Sequence, residues 1–252
     1  MMKTKPKAEF YQIITLVLSL IIIFNGCKKD DEDEPGNPTN GKTKAVFNSN
    51  LSYGTMTDQD GNRYRTITIG QQTWMAENLR TTKYRNGEDI PLITDNTAWR
   101  YQSAGAYCNV NNTENVDTIA TMGRLYNWYA VSDSRNIAPE GWHVPSRSEW
   151  NNLVTYLGGT DAGDLLKESG TTHWISPNSG ATNESGFTAI PGGDRSHTDG
   201  KFYDIGSGFA CWSSEEYSYS DAYYRSIVYN LSSLGENHWS KQLGLSVRCI
   251  KD

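Results

Sequence analysis

A capped helix beginning at Ser146 constrains this chain more than any other feature. In the stretch Gly141-Trp142-His143-Val144-Pro145-Ser146-Arg147-Ser148-Glu149-Trp150, Ser146 and Glu149 form an S-x-x-E pair. This is capping-box spacing, in which each side chain satisfies the other residue's orphan backbone N–H. Trp150, Leu153, Val154 and Leu157 then recur at helical spacing and lay one apolar stripe along the helix. Gly158-Gly159 ends it. Val144-Pro145 holds the entering chain extended, so the helix hangs from a strand-like lead containing Trp142. Losing the cap would cost about 1 kcal/mol, whereas emptying a core Trp150 site would cost about 3–5 kcal/mol. Packing, more than capping, is expected to hold this helix.

The start of the chain has a different character. Lys3, Lys5 and Lys7 precede an apolar run from Ile13 to Phe24 that closes on Asn25-Gly26-Cys27. A basic segment, a short apolar segment and a small residue make an export signal over residues 1–26. The run is short of the roughly 20 apolar residues that span a bilayer comfortably. Phe24-Asn25-Gly26-Cys27 resembles the lipobox of bacterial lipoproteins, which implies acylation of Cys27 and a membrane anchor. Lys28-Lys29-Asp30-Asp31-Glu32-Asp33-Glu34 passes into Pro35-Gly36-Asn37-Pro38. Residues 27–45 are therefore expected to be an acidic flexible tether. A lysine pair and acidic run directly after such a cysteine resembles the surface-export tag of some Gram-negative lipoproteins, which implies an outer-membrane protein facing the cell exterior.

Removing residues 1–26 leaves 20 basic against 28 acidic residues. Nucleic acid is excluded as a partner, because phosphate binding needs a basic face. Residues 46–252 make one domain with enough chain for a real core. Eight tryptophans and fifteen tyrosines supply that core, with isoleucine, leucine and valine comparatively sparse. Trp74, Trp128, Trp142, Trp150 and Trp212 are the expected structural indoles.

Asp60-Gly61, between two alternating segments, is a hairpin signal. Asp58-x-Asp60-Gly61-Asn62 also resembles the front of a calcium loop, but lacks the closing bidentate glutamate, so a plain turn is expected. Glu77 and Asn78 are expected to tie down a neighbouring loop. No period persists from Thr81 to Thr121, which reads as irregular. Leu125, Trp128, Tyr129 and Ser132 suggest a short helix, and Asp161–Lys167 another. Phe187–Ile190, Ala210–Ser214, Ala222–Tyr229 and Leu245–Ile250 read as strands, with Gly235-Glu236-Asn237 marking the hairpin between the last two long segments. Helices and strands segregate along the chain, so the expected class is α+β, with short helices packed on a small twisted antiparallel sheet.

Several blocks now fall in a familiar order: Asp58-x-Asp60-Gly61-Asn62, Ile69-Gly70-x-Gln72-x-Trp74-Met75-Ala76-Glu77-Asn78-Leu79, Gly123-Arg124-Leu125-Tyr126-Asn127-Trp128-Tyr129-Ala130, and Gly141-Trp142-His143-Val144-Pro145-Ser146. Ala181-Thr182-Asn183-Glu184-Ser185-Gly186-Phe187, Pro191-Gly192-Gly193, Trp212-Ser213-Ser214 and Ser246-Val247-Arg248-Cys249 continue it. Together they resemble the Fibrobacter succinogenes major paralogous domain. The resemblance covers about residues 54–252 and implies an exported, often lipid-anchored protein with a loop-rich, C-type-lectin-like fold. The helix start is also similar to that of the formylglycine-generating sulfatase modifiers. Neither the calcium strings of sugar-binding C-type lectins nor the cysteine block of the formylglycine generator is present, and Ile137-Ala138-Pro139 stands where family members often have Leu-Cys-Pro.

With Cys27 acylated, Cys108, Cys211 and Cys249 leave one disulfide and one free thiol as the simplest account. Cys211–Cys249 is the favoured pair and Cys108–Cys249 the next. His143, His173, His197 and His238 show no metal-ligand spacing, and no phosphate loop or nucleophile motif is present. No catalytic residue, metal or cofactor is expected. Glu215-Glu216 with Asp221 is a poor carboxylate pair, since neighbours on an extended chain point to opposite faces. The favoured function is a noncatalytic module that binds glycan or protein. Its loops would lie around Asp194–Asp204 and Glu215–Asp221, with Tyr203, Tyr217, Tyr219, Tyr223 and Trp239 as stacking faces. A metal-assisted oxidase or hydrolase, and a purely structural surface role, stay open.

Overall fold

The computed structural model describes residues 1–2, 37–159 and 161–252. The expected signal peptide and the anchor at Cys27 lie outside the described residues. Residues 36–252 form one unit, and the fold below is that of its described part. Among the described residues no helix is long and apolar enough to cross a membrane.

The order begins β1 (Gly54–Thr57), β2 (Arg63–Ile69), β3 (Gln72–Met75), α1 (Asn96–Arg100), β4 (Tyr107–Asn109), α2 (Val116–Met122), β5 (Arg124–Tyr126) and α3 (Trp128–Val131). It continues β6 (Trp142–His143), α4 (Arg147–Tyr156), α5 (Ala162–Leu166), β7 (Asp194–Arg195), β8 (Phe202–Tyr203), β9 (Gly208–Glu216), β10 (Asp221–Val228), β11 (Gly235–Ser240) and β12 (Ile250–Lys251). One five-stranded sheet runs β1-β2-β3-β12-β6, and a three-stranded sheet runs β11-β10-β9. All pairings between named strands are antiparallel, and the class is α+β as expected.

The five-stranded sheet is covered on both faces, and side-chain alternation explains how. Tyr64, Met75, Trp142 and Cys249 point into one apolar cluster with Trp128 and Trp212. Ile67, Ile69, Trp74 and Ile250 point into another with Trp150 and Phe187. Strand β9 divides its residues the same way, sending Trp212 to the first cluster and Phe209 and Cys211 to the second. A third, smaller cluster gathers Trp99, Cys108 and Leu125.

Helix α4 begins where the sequence places it. The Ser146 side chain accepts from Glu149 N, and the Glu149 carboxylate accepts from Ser146 N, completing the capping box. The Asp58–Asn62 stretch is a turn: Asp58 accepts from the backbone N–H groups of Asp60 and Asn62 and from the Tyr64 hydroxyl.

Loops are tied down by buried arginines, whose planar forks satisfy backbone carbonyls that no strand reaches. Arg248 donates to Asn78 Oδ1 at 2.9 Å and to Thr188 O at 2.7 Å, with Phe187 beneath it. Arg195 donates to Gly200 O and Thr94 O, both at 2.8 Å, and lies over Trp99. Glu77 accepts from Arg65 N at 2.6 Å and Asn78 donates to Met122 O at 2.8 Å, so both fasten neighbouring segments.

Several expectations are corrected. Cys211 and Cys249 are separate buried thiols, as is Cys108. Each sits in a different apolar cluster. Burial pushes the Cys108 and Cys211 thiols up to about 12. Asn37–Lys44, expected as solvated tether, is fastened to the domain: Asn37 Nδ2 donates to Asn62 Oδ1 at 2.7 Å, and Lys44 N to Thr121 Oγ1 at 2.8 Å. The stretch 81–121 contains α1, β4 and α2. The helix expected from Leu125 starts only at Trp128, because Asn127 caps it through Ala130 N while Leu125 and Tyr126 pair with β4. Phe187–Ile190 contributes a single bridge, Lys167 to Ala189, and the segment from Leu245 reduces to bridges followed by β12. Gly235-Glu236-Asn237 lies inside β11 and not at a turn.

Candidate functional site

The three-stranded sheet carries Tyr223 and Trp239 on two faces, with Tyr217 and Tyr219 in the connection between β9 and β10 and Tyr203 on β8 of a separate two-stranded sheet. On β10 and β11, Tyr223 lies directly opposite His238 and Ala222 opposite Trp239. Neighbouring strand residues alternate, so Tyr223 and His238 share one face and Trp239 takes the other.

On the first face, Tyr217 stacks on His238 with ring centroids 3.6 Å apart and planes at 12°. Tyr217 also meets Tyr223 edge-on at 5.2 Å. The Arg147 guanidinium covers Tyr223 at 3.8 Å from the ring centroid. Behind the rings, Glu236 bridges Arg147 and Arg225, with both contacts at 2.6 Å. The hydrogen bond from Arg147 holds the Glu236 carboxyl below its ordinary range, so the bridge stays ionised. Arg225 also reaches Asn151 on α4, and Glu215 accepts from Arg147 N at 2.8 Å at the positive end of that helix. The capped helix thus fixes one end of the aromatic face. Tyr217 is 50% exposed, and its ring is held by neighbours on two sides.

On the second face, Trp239 is 50% exposed and meets His197 edge-on at 6.3 Å. Tyr203 donates its hydroxyl to Asp199 at 2.7 Å. Beside it, burial first and the nearby Asp204 charge second push the Asp194 carboxyl up to about 7. Tyr219, 99% exposed, stands on the turn between β9 and β10.

The five expected stacking residues therefore do not form one surface. Tyr217 and Tyr223 come together, Trp239 and Tyr203 belong elsewhere, and Tyr219 stands on the turn. His238, Arg147, Arg225 and Glu236 belong to the first face and went unselected in the sequence. The alternation of His238 and Trp239 was readable there, but the register that sets His238 against Tyr223 was not. Trp74, Trp128, Trp142, Trp150 and Trp212 are buried. Glu216 pairs with Lys241 at 2.9 Å and Glu215 with the α4 N-terminus, so they form no carboxylate pair. Among the described residues no group of three His, Cys, Asp or Glu side chains is placed to hold a metal ion.

Comparison with curated proteins and with solved structures gives no significant match. The Fibrobacter succinogenes major domain matches residues 67–251, from within β2 to β12. That span takes in the three-stranded sheet, α4, both aromatic faces and the five-stranded sheet apart from β1 and the start of β2, and it establishes that the chain belongs to the Fibrobacter succinogenes major domain family.

Proposed function

We propose that this protein is a noncatalytic recognition module of the cell surface that binds glycan through the face built by Tyr217, Tyr223 and His238. The observation that carries the reading is the preorganised stack itself. Tyr217 is half exposed yet wedged against His238 and Tyr223, so little side-chain freedom is lost when a ligand covers it. The apolar face of a pyranose suits such a ring, and the neighbouring Asp221, Glu236 and Arg147 supply polar groups for hydroxyls. A protein partner is the alternative occupant of the same face.

In this reading the chain is exported, acylated at Cys27 and held on the outer membrane facing outward. The short helices and small antiparallel sheets support a C-type-lectin-like fold for the domain.

A glycan array probed with the full-length chain, with calcium and with a chelator, tests the proposal. Binding that survives the chelator and weakens roughly tenfold in Tyr217→Ala/Tyr223→Ala supports it. Binding unchanged by that double substitution removes the function from this face. Trypsin treatment of intact cells tests the location: a protein left uncut would not be facing outward.

A further inference from the structure

The structure carries a second cleft on the opposite side of α4. Arg147 and Asn151 turn toward the aromatic hairpin, while Glu149, Asn152 and Tyr156 follow one another at i, i+3 and i+7 and line the cleft. These two sets occupy opposite faces of the helix. The cleft holds about 540 Å³ between α4, the β2–β3 turn and β12, with Gln71, Gln72 and Lys251 completing its polar wall. That volume lies within the range of small-molecule sites.

Its construction points to one class of ligand. Tyr156 is 65% exposed, yet its ring is seated against the backbone of Gly70. A Cβ at Gly70, where φ is +63°, would meet three ring atoms at 2.8–3.1 Å. Glycine thus admits the ring and leaves it as a fixed platform. Gln72 is held by the Glu149 carbonyl at 3.0 Å, and the Glu149 carboxylate by His143 and Ser146 N, both at 2.8 Å. Gln71 and Asn152 are exposed amides, each offering both donors and an acceptor. The lining carries one cationic side chain, Lys251, and one carboxylate, Glu149, so the wall has no excess positive charge to select phosphate.

We propose that this cleft binds a neutral sugar ring, with its apolar face on Tyr156 and its hydroxyls toward Gln71, Asn152 and Glu149. The site is separate from the hairpin face and stands or falls independently of it.

Calorimetric titration of the full-length chain tests this. The probes are neutral disaccharides to hexasaccharides of glucose, xylose, mannose and N-acetylglucosamine. The expected result is a bound sugar whose affinity falls roughly tenfold in Tyr156→Ala. The affinity should also weaken in Gln71→Ala/Asn152→Ala, and both losses should recur in a Tyr217→Ala/Tyr223→Ala background, which removes any contribution of the hairpin face. Both cleft variants alter exposed side chains, and matching thermal melts verify that they fold. Affinity unchanged in both cleft variants overturns the proposal. So does the absence of binding to every probe at millimolar concentration.

Discussion

The indole of Trp150, on the capped helix, packs on Trp74 of β3 with ring centroids 4.7 Å apart. Both are fully buried, and Phe187 closes the group at 5.8 Å from Trp74. This contact fastens α4 to the central sheet, and α4 in turn positions the aromatic hairpin on one side and the cleft on the other. Trp150→Ala should destabilise the fold by about 3–5 kcal/mol, whereas Ser146→Ala should cost only about 1 kcal/mol. Urea unfolding followed by tryptophan fluorescence measures both. Equal losses would mean that capping holds the helix as strongly as packing does.

His143 joins that helix to Asp252. Its Nε2 meets Glu149 Oε1 at 2.8 Å and its Nδ1 meets Asp252 Oδ1 at 2.6 Å. Burial opposes the charged ring, but the hydrogen bonds to Asp252 and Glu149 outweigh it and hold His143 above its ordinary value. Glu149 is held below its own: burial opposes this, and the bonds from Ser146 and His143 prevail. The His143 contribution is full below the ordinary histidine range and is lost as pH rises through the raised folded value. The Glu149 contribution is present above the ordinary glutamate range and is lost as pH falls through the lowered one. These groups are partly exposed, so the clamp is worth no more than about 1 kcal/mol. His143→Gln should therefore destabilise at about pH 5.5 and have little effect at about pH 8.5, as read by urea midpoints.

Asp194 behaves in the opposite sense to an ion-paired carboxylate. Burial and Asp204 push its carboxyl up to about 7, so folding favours the protonated form. Stability is full below the ordinary aspartate range and declines as pH rises toward the raised value. Asp194→Asn should stabilise the domain at about pH 8 by roughly 1–3 kcal/mol after allowance for partial solvent screening, with little change at about pH 4. Thermal melts across that interval check it, and an unchanged pH slope would contradict the assignment.

Thr39 holds a buried cation. Its Oγ1 accepts from Arg80 Nε and donates to Asn62 Oδ1, both at 2.9 Å, and Arg80 is almost fully buried. Thr39→Val leaves that guanidinium N–H without its partner and should cost about 1–3 kcal/mol. Asn40→Ala, which loses bonds at an exposed position, should cost much less. Comparing their melting temperatures tests whether this arm is part of the fold.

The elements legible in the sequence depend on residues close together along the chain. The capping box of Ser146 and Glu149, the Asp58–Asn62 turn, and the segments that became β9 and β10 are set by local hydrogen bonds or by strand alternation. Helices α1 and α2 carried local signals too, since Asp95 and Asn115 cap them, but five and seven residues are too short to show a period. The family blocks were also readable, and they fixed the assignment.

What only the tertiary structure decided depends on register and on contacts between distant segments. Cys211 and Cys249 both lie in extended chain, but which core each faces follows from strand pairing. Asn37 and Thr39 look like linker until Asn62 and Arg80 are set beside them. His238 joins Tyr217 only because β11 pairs with β10 in one particular register, since a shift of one residue would put Trp239 there instead. The sequence by itself determined the local geometry and the family. Long-range pairing, which no short stretch encodes, decided which side chains share a surface.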